Sequence, residues 1–198
     1  MKIELPGGVA VDMFKALDIA RGRDAMRVAL SGVNWEIVGG AHTFTTTDSY
    51  RLHTVTVPDT GATYDDSVLL SGDIVKAIQV CAKAIGKNGT VLLERFDGSV
   101  NVSGVNDIGA AISRVTVDIL YNEFPQCATI INMAKEVELP ALFNGKYLGG
   151  LIDAATLWAG KDRPVTVESI HATKPGHVSS ANEFGTFKGI VMPQRGGK

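Results

Sequence analysis

One structural pattern recurs three times along this chain of 198 residues, with starts near Ile3, Val68 and Val137. Starts that lie roughly 65–70 residues apart indicate an internal repeat. Each copy begins with a short apolar strand, continues with a segment of helical periodicity, and ends with β-branched runs separated by turn residues. The repeat therefore predicts an α+β fold of three β-α-β-β-β units, with antiparallel sheets covered on one face by helices.

Within the units, the predicted opening strands are 2–5, 67–70 and 136–142, and the predicted helices are 9–21, 72–85 and 144–159. Ser71 and Asn144 are favourable N-cap residues for the second and third helices, and Gly86 is a favourable C-cap for the second. We expect the helices to pack on the sheets through the apolar residues of one helix face: Phe14, Leu17, Ile74, Ile78, Ile85, Leu148, Leu151 and Ile152.

The total charge argues against a protein that grips nucleic acid through an excess of basic residues. The chain has 19 Lys and Arg residues and 21 Asp and Glu residues, so the formal net charge is −2. Tight DNA binders usually carry a positive surplus. A DNA-binding protein whose positive charge is concentrated on one surface is still compatible with this total. The distribution of charge along the chain therefore decides whether DNA binding is plausible.

The hydrophobic content predicts a folded chain, and the two isolated cysteines predict a cytosolic one. At 45% hydrophobic residues the sequence is too apolar for intrinsic disorder. No run reaches the length of a membrane span, and the first residues lack the apolar region of a signal peptide. Cys81 and Cys127 stand far apart, which favours buried thiols over a disulfide scaffold.

Positive charge gathers on one face of the second predicted helix, at Lys76, Gln79, Lys83 and Lys87. Spacings of three and four residues place side chains on the same side of a helix, and the opposite side is apolar. Such a face suits a helix that crosses phosphates, although a plain solvated face has the same pattern. The full set of candidate DNA-facing residues is Lys15, Arg21, Arg23, Arg27, Lys76, Gln79, Lys83, Lys87, Lys146 and Lys161.

Two segments carry a resemblance to a known family. Residues 46–52 read TTDSYRL, and residues 187–195 read FKGIVMPQR. They resemble the T-D-G-H-R-L loop and the closing M-P-x-R strand of the bacterial DNA sliding clamp, the beta subunit of DNA polymerase III. The first two units, 1–125, resemble the middle domain of that family, and the third, 126–198, resembles the second half of its last domain. The resemblance implies a ring with helices inside and sheets outside.

The resemblance also implies an apolar pocket that receives short peptides of polymerases and of the clamp loader. The residues at the matching positions are Leu30, Thr47, Asp48, Tyr50, Arg51, Leu52, Pro125, Ile190, Met192, Pro193 and Arg195. Ser49 and Tyr50 stand where the family has glycine and histidine, so the preferred peptide is expected to differ. Without the resemblance, Leu30, Leu52, Ile190 and Met192 read as core residues of edge strands, and Pro125 as the end of a linker.

Motifs for catalysis are missing from the sequence. The four histidines lack metal-ligand spacing, and neither a phosphate-binding glycine loop nor a nucleophile elbow occurs. We therefore expect a non-enzymatic protein without a metal or cofactor.

The resulting hypothesis is a DNA polymerase processivity factor that encircles double-stranded DNA in a sequence-independent manner. Family rings carry twelve helices, so a chain with three helices favours a homotetramer over a trimer, closed head-to-tail. A shortened clamp suits a phage that replicates in a bacterial cytoplasm. Two alternatives stay open: a clamp-derived protein-binding module that does not encircle DNA, and a small α+β enzyme.

Overall fold

The computed structural model describes residues 1–59, 61, 64–86, 88–127, 142–161, 163–168 and 173–194. The strands in these residues are β1 (Lys2–Pro6), β2 (Val33–Val38), β3 (Ala41–Thr47), β4 (Arg51–Pro58), β5 (Asp66–Leu70), β6 (Thr90–Phe96), β7 (Ser99–Val105), β8 (Ala111–Leu120), β9 (Thr166–Glu168), β10 (Gly176–Asn182) and β11 (Gly185–Val191). The helices are α1 (Gly7–Asp18), α2 (Ile74–Ile85) and α3 (Gly145–Ala159), and a short 3-10 helix covers Val28–Ser31.

The described strands form one antiparallel sheet in the order β1-β6-β7-β8-β5-β2-β3-β4-β11-β10-β9. The first two units exchange their opening strands within this sheet. Strand β1 of the first unit pairs with β6 of the second, with Ile3 opposite Leu93. Strand β5 of the second unit pairs with β2 of the first, with Val68 opposite Trp35. Each unit thereby completes the sheet of the other.

The exchange closes a common core. Ile3 and Leu5 of β1 and Val91 and Leu93 of β6 are buried in one apolar cluster together with the inner faces of α1 and α2. Buried apolar area is the main stabilising contribution in such a cluster, at roughly 25 cal/mol per Å². The first two units are therefore held together as a pair by burial as well as by hydrogen bonds.

The third unit joins the first through strands β4 and β11, which pair antiparallel from Arg51↔Val191 to Thr56↔Thr186. Helix α3 packs on β10 and β11 and also contacts α1. Trp158 of α3 donates its indole N–H to the Gly185 carbonyl at 3.2 Å, and the Ser180 hydroxyl donates to the Ala155 carbonyl at 2.8 Å. These bonds fix the helix on its hairpin.

The α+β class with a large antiparallel sheet is confirmed. The division into 1–125 and 126–198 stays a prediction. The predicted opening strand of the third unit, 136–142, lies outside the described residues except for Leu142. Among the described helices, none is long and apolar enough to cross a membrane.

Two local predictions are wrong. The N-cap of α2 is Asp73, because the chain turns once more after Ser71. The Ser71 hydroxyl accepts from the Asp73 N–H and donates to Asp73 Oδ2, both at 3.3 Å. Ile152 is 39% exposed on α3, whereas Leu151 beside it is fully buried. The predicted cap at Asn144 is confirmed, since its side chain accepts from the Lys146 N–H at 3.0 Å.

Candidate functional site

A small apolar cavity lies where the first and third units meet. It has a volume of about 250 Å³ and is lined by Leu30, Thr47, Ser49, Tyr50, Arg51, Leu52, Pro125, Cys127, Ile190 and Met192. Leu52 of β4 and Ile190 of β11 lie opposite each other in the β4–β11 pair and form its floor. The cavity thus exists because two units share one sheet.

The loop between β3 and β4 shapes one wall of the cavity. The Asp48 carboxylate accepts from the backbone N–H groups of Tyr50 and Arg51, both at 3.0 Å. Ser49 has a φ of 78°, a left-handed conformation that disfavours residues with a Cβ. The same backbone shape explains why a glycine occupies the corresponding place in the T-D-G-H-R-L pattern.

Arg51 is fixed at the edge of the cavity. Its Nε donates to Asp48 Oδ2 at 2.9 Å, and its guanidinium carbon lies 5.2 Å from the centroid of the Tyr147 ring. The Tyr50 ring stacks on the Tyr147 ring, with a centroid separation of 5.7 Å and an interplanar angle of 18°. Arg51 therefore presents a held, partly neutralised cation, whereas Tyr50 offers an exposed aromatic face.

Eight of the eleven residues predicted for a peptide pocket line this cavity: Leu30, Thr47, Tyr50, Arg51, Leu52, Pro125, Ile190 and Met192. Asp48 lies behind the wall as the partner of Arg51, and Pro193 follows Met192 without lining the cavity. Arg195 lies outside the described residues. Whether these residues bind a peptide stays a prediction.

Sequence reasoning left Ser49 and Cys127 out of the predicted pocket residues, although it recognised Ser49 as a departure from the family pattern, and it missed Tyr147. Burial, and to a smaller extent the nearby Glu36 carboxylate, raises the pKa of the Cys127 thiol to about 11. The thiol is therefore protonated at neutral pH and contributes a weakly polar wall. The glycine pair at 149–150 was a usable signal that α3 approaches another part of the chain closely, because a Cβ at Gly150 would lie 3.0 Å from an Arg51 nitrogen.

A second, wider concavity of about 660 Å³ lies on the helix side of the molecule. Lys15 and Gln79 line it from α1 and α2, and Arg21, Arg23 and Arg27 line it from the segment that follows α1. Arg21 and Arg23 both bind the Asp18 carboxylate at 2.7 Å. The Arg21 side chain is only 12% exposed, so this arginine is mainly engaged inside the protein.

The remaining candidate DNA-facing residues that the structure describes lie on exposed surface. Lys76 and Lys83 are exposed on α2, where Lys76 lies 3.9 Å from Asp73. Lys146 and Lys161 are exposed at the two ends of α3. Lys87 lies outside the described residues. The three helices carry four lysines against three aspartates, a small positive excess.

Two buried histidines offer no catalytic base. Trp35 donates its indole N–H to His42 Nδ1 at 2.9 Å, and His42 Nε2 lies 2.9 Å from Asp59 Oδ2. Because the indole can only donate, the Nδ1 atom accepts and the Nε2–H donates to the carboxylate. This bond lowers the pKa of Asp59. Both ring nitrogens of His42 are thus occupied by structural partners.

His53 lies beneath α1, with Nδ1 at 2.7 Å from the Ala16 carbonyl oxygen. Burial is the main cause that lowers its pKa to about 4. The ring packs edge-on against Phe187 of β11, with centroids 5.2 Å apart. Across the described part of the chain, no group of three or more His, Cys, Asp or Glu is arranged to hold a metal ion.

Solved structures with the same fold are DNA sliding clamps. The DNA polymerase III beta subunit of Thermotoga maritima superposes with a TM-score of 0.72 at 16% identity, covering 100% of this chain and 66% of that one. The subunit from Pseudomonas aeruginosa gives 0.72 at 14% identity, with coverages of 98% and 66%. The C. crescentus beta sliding clamp gives 0.71 at 16%, with 98% and 65%.

The chain therefore has the fold of the DNA polymerase III beta sliding clamps and spans about two thirds of the length of these proteins. The resemblance read from residues 46–52 and 187–195 is confirmed at the level of the fold. Neither the protein-family models nor the curated proteins contain a match to the sequence.

Proposed function

We propose that this protein is a DNA polymerase processivity factor: a ring-shaped sliding clamp, built from several copies of the chain, that encircles duplex DNA and tethers a replicative polymerase. The single observation that carries the proposal is the clamp fold over the whole length of the chain. The proposal implies three partners: double-stranded DNA, the polymerase and the clamp loader. It involves neither a catalytic step nor a cofactor. The proposal also implies that the protein works in the cytoplasm of a bacterium that hosts a phage.

The small positive excess of the three helices supports this mode of binding. A protein that slides needs attraction to phosphates without a deep electrostatic minimum at any one register. Four lysines against three aspartates on the helices give such a modest attraction. Enclosure of the duplex then provides the retention that charge alone does not.

Topological retention on DNA tests the encircling role. The protein is diluted to separate its copies, mixed with nicked circular plasmid, concentrated, and passed through a sizing column at 0.5 M salt. We expect protein to co-elute with circular DNA and to be lost after the plasmid is cut once. Loss from the circular plasmid at this salt, or equal retention on linear DNA, contradicts encirclement.

The apolar cavity between the first and third units supports the tethering role. Short peptides bind such cavities by inserting one or two apolar side chains, with polar contacts at the edge. We expect a fluorescein-labelled peptide that carries leucine and phenylalanine near its end to bind, as measured by anisotropy. Met192→Glu should weaken binding at least 10-fold because it places a carboxylate at the wall, whereas Ile108→Glu, on the exposed β7–β8 turn, should have no effect.

The same two experiments separate the alternatives. Peptide binding without retention on circular DNA identifies a clamp-derived module that holds proteins only. Absence of both activities favours an α+β enzyme. The structure lends that class little support, because His42 is tied to Trp35 and Asp59 and His53 is buried.

A further inference from the structure

The apolar cavity and the concavity on the helix side share part of their lining. Leu30, Tyr50 and Arg51 line both spaces. A hydrogen bond also connects them, since Arg27 in the concavity donates from Nη1 to the hydroxyl of Ser49 in the cavity wall at 3.2 Å. A chain that enters the cavity therefore has the surface of the concavity directly beside it.

The two spaces differ in chemistry. The cavity has a mainly apolar lining, with Leu52, Ile190 and Met192 among its residues. The concavity is lined by five basic residues and three aspartates, an excess of two positive charges. A single ligand that fills both spaces must therefore combine apolar groups with negative charge.

Two of the five basic residues are engaged inside the protein. Arg21 donates to the Asp18 carboxylate at 2.7 Å and to the Ser31 carbonyl at 2.8 Å, and its side chain is almost buried. Arg51 donates to the Asp48 carboxylate at 2.9 Å, and its side chain is only 16% exposed. These two arginines form the wall of the concavity and leave the binding of a ligand to the other three basic residues.

The other three basic side chains, Arg23, Arg27 and Lys15, are exposed to solvent. Arg23 is 64% exposed and shares the Asp18 carboxylate with Arg21, so two guanidinium groups face one carboxylate. Arg27 is 58% exposed, and its ion pair with the neighbouring aspartate is long, at 3.8 Å. Positive charge that the protein does not neutralise is therefore concentrated next to the apolar cavity.

We propose that the concavity binds acidic residues of the same peptide that inserts apolar side chains into the cavity. The partner is a short segment in which an apolar anchor lies a few positions from two or more aspartates or glutamates. Carboxylates suit Arg23 and Arg27 because one guanidinium group can donate two parallel hydrogen bonds to one carboxylate. The proposal rests on the proposed tethering role of the cavity and adds the chemistry of the partner to it.

A peptide fits the combined site better than DNA does. Lys15, Arg23 and Arg27 are also candidate DNA-facing residues, and phosphates are attracted to such side chains. Duplex DNA, however, has no flexible apolar side chain that could enter the cavity beside them. A polypeptide supplies apolar and acidic side chains within one short chain.

Two matched peptides test the proposal. Both carry fluorescein and an apolar core with leucine and phenylalanine, flanked on each side by three glutamates in one peptide and by three glutamines in the other. At about 50 mM salt we expect the glutamate peptide to bind about 10-fold more tightly in fluorescence anisotropy, because exposed ion pairs add a modest attraction. At about 0.5 M salt the ratio should fall below about 3-fold, since salt screens exposed charges.

The net charge of the protein sharpens this comparison. The whole chain carries a formal charge of −2, so a preference for glutamates requires a local positive surface. Equal affinities at low salt, or tighter binding of the glutamine peptide, overturn the proposal and leave the tethering role of the cavity intact. Failure of both peptides to bind overturns the tethering role as well.

Substitutions in the concavity locate the effect. Arg23→Gln and Arg27→Gln should each reduce the ratio of the two affinities by about 3-fold, whereas Arg27→Lys should keep most of it. Lys188→Gln removes one positive charge from an exposed position of β11 and should leave the ratio unchanged. An unchanged ratio in both arginine variants overturns the proposal, and weaker retention of these variants on circular DNA would then assign the concavity to DNA. The peptide measurements contain no DNA, so failure of encirclement is scored separately.

Discussion

The first two units and the third unit are built from the same elements, yet one region is closed and the other is open. Strand exchange buries Trp35 and Leu93 completely, whereas Val167 at the equivalent strand of the third unit is half exposed. The difference shows that the β-α-β-β-β unit is not self-sufficient. It lacks one strand of its own sheet and finds that strand on a neighbour.

Truncation of matched core residues gives the largest contrast between the two regions. Leu93→Ala removes a fully buried side chain opposite Ile3 and should destabilise the protein by about 2–5 kcal/mol. Val167→Ala, at the open edge, should change the unfolding free energy of the separated chain by less than about 0.5 kcal/mol. Urea unfolding at nanomolar protein measures both, and equal losses would contradict the distinction between closed and open units.

Acid should weaken the junction between the first and third units. Folding lowers the pKa of His53 to about 4 from an ordinary value near 6.5, so the unfolded chain binds the proton more readily. The stabilising contribution is complete above about pH 6.5 and is lost as the pH falls to about 4, by up to roughly 3 kcal/mol. Urea unfolding of wild type and His53→Gln from pH 7.5 to 4.5 measures this. A similar pH dependence in both proteins would assign the effect to other groups.

The smallest contrast concerns the two glycines in the middle of α3. Nothing lies within 4 Å of a Cβ at Gly149, so Gly149→Ala should stabilise the protein by about 0.5–1 kcal/mol through helix propensity. A Cβ at Gly150 would lie 3.0 Å from Arg51 Nη1 and 3.3 Å from Ile19. Gly150→Ala should therefore gain less, or destabilise, since the Arg51 side chain must shift. Thermal unfolding of the two variants ranks them, and an equal gain would show that α3 is loosely held against α1.

Local structure was largely predictable from the sequence. Turn residues and β-branched runs delimited the strands, and the apolar stripe at Ile74, Ile78 and Cys81 gave the buried face of α2. Strand partners were not predictable, because alternation of apolar residues shows which face of a strand is buried but not which strand lies beside it. The exchange of β1 and β5 therefore appeared only in the structure.

The cavity illustrates the same limit. Leu30, Leu52, Pro125 and Ile190 are far apart in the sequence, and only the resemblance to a known family grouped them. Ile152 was predicted to be buried because it is an apolar residue next to Leu148 and Leu151 on the predicted inner face of the helix. Periodicity does not distinguish an apolar residue that faces the core from one at the margin of the buried face that stays partly exposed.

The reciprocal exchange between β1–β6 and β5–β2 also determines whether an assembly of these chains has a front and a back. Both helices of the pair lie on one side of the sheet, so the axis that relates the two units runs perpendicular to the sheet, along a radius of any ring with its helices inside. Rotation by half a turn about a radius turns a ring over. In such a ring, each face would show one end of the first unit beside the opposite end of the second, so the paired units alone give the two faces similar outlines. The cavity at the junction with the third unit would then be what tells one face from the other.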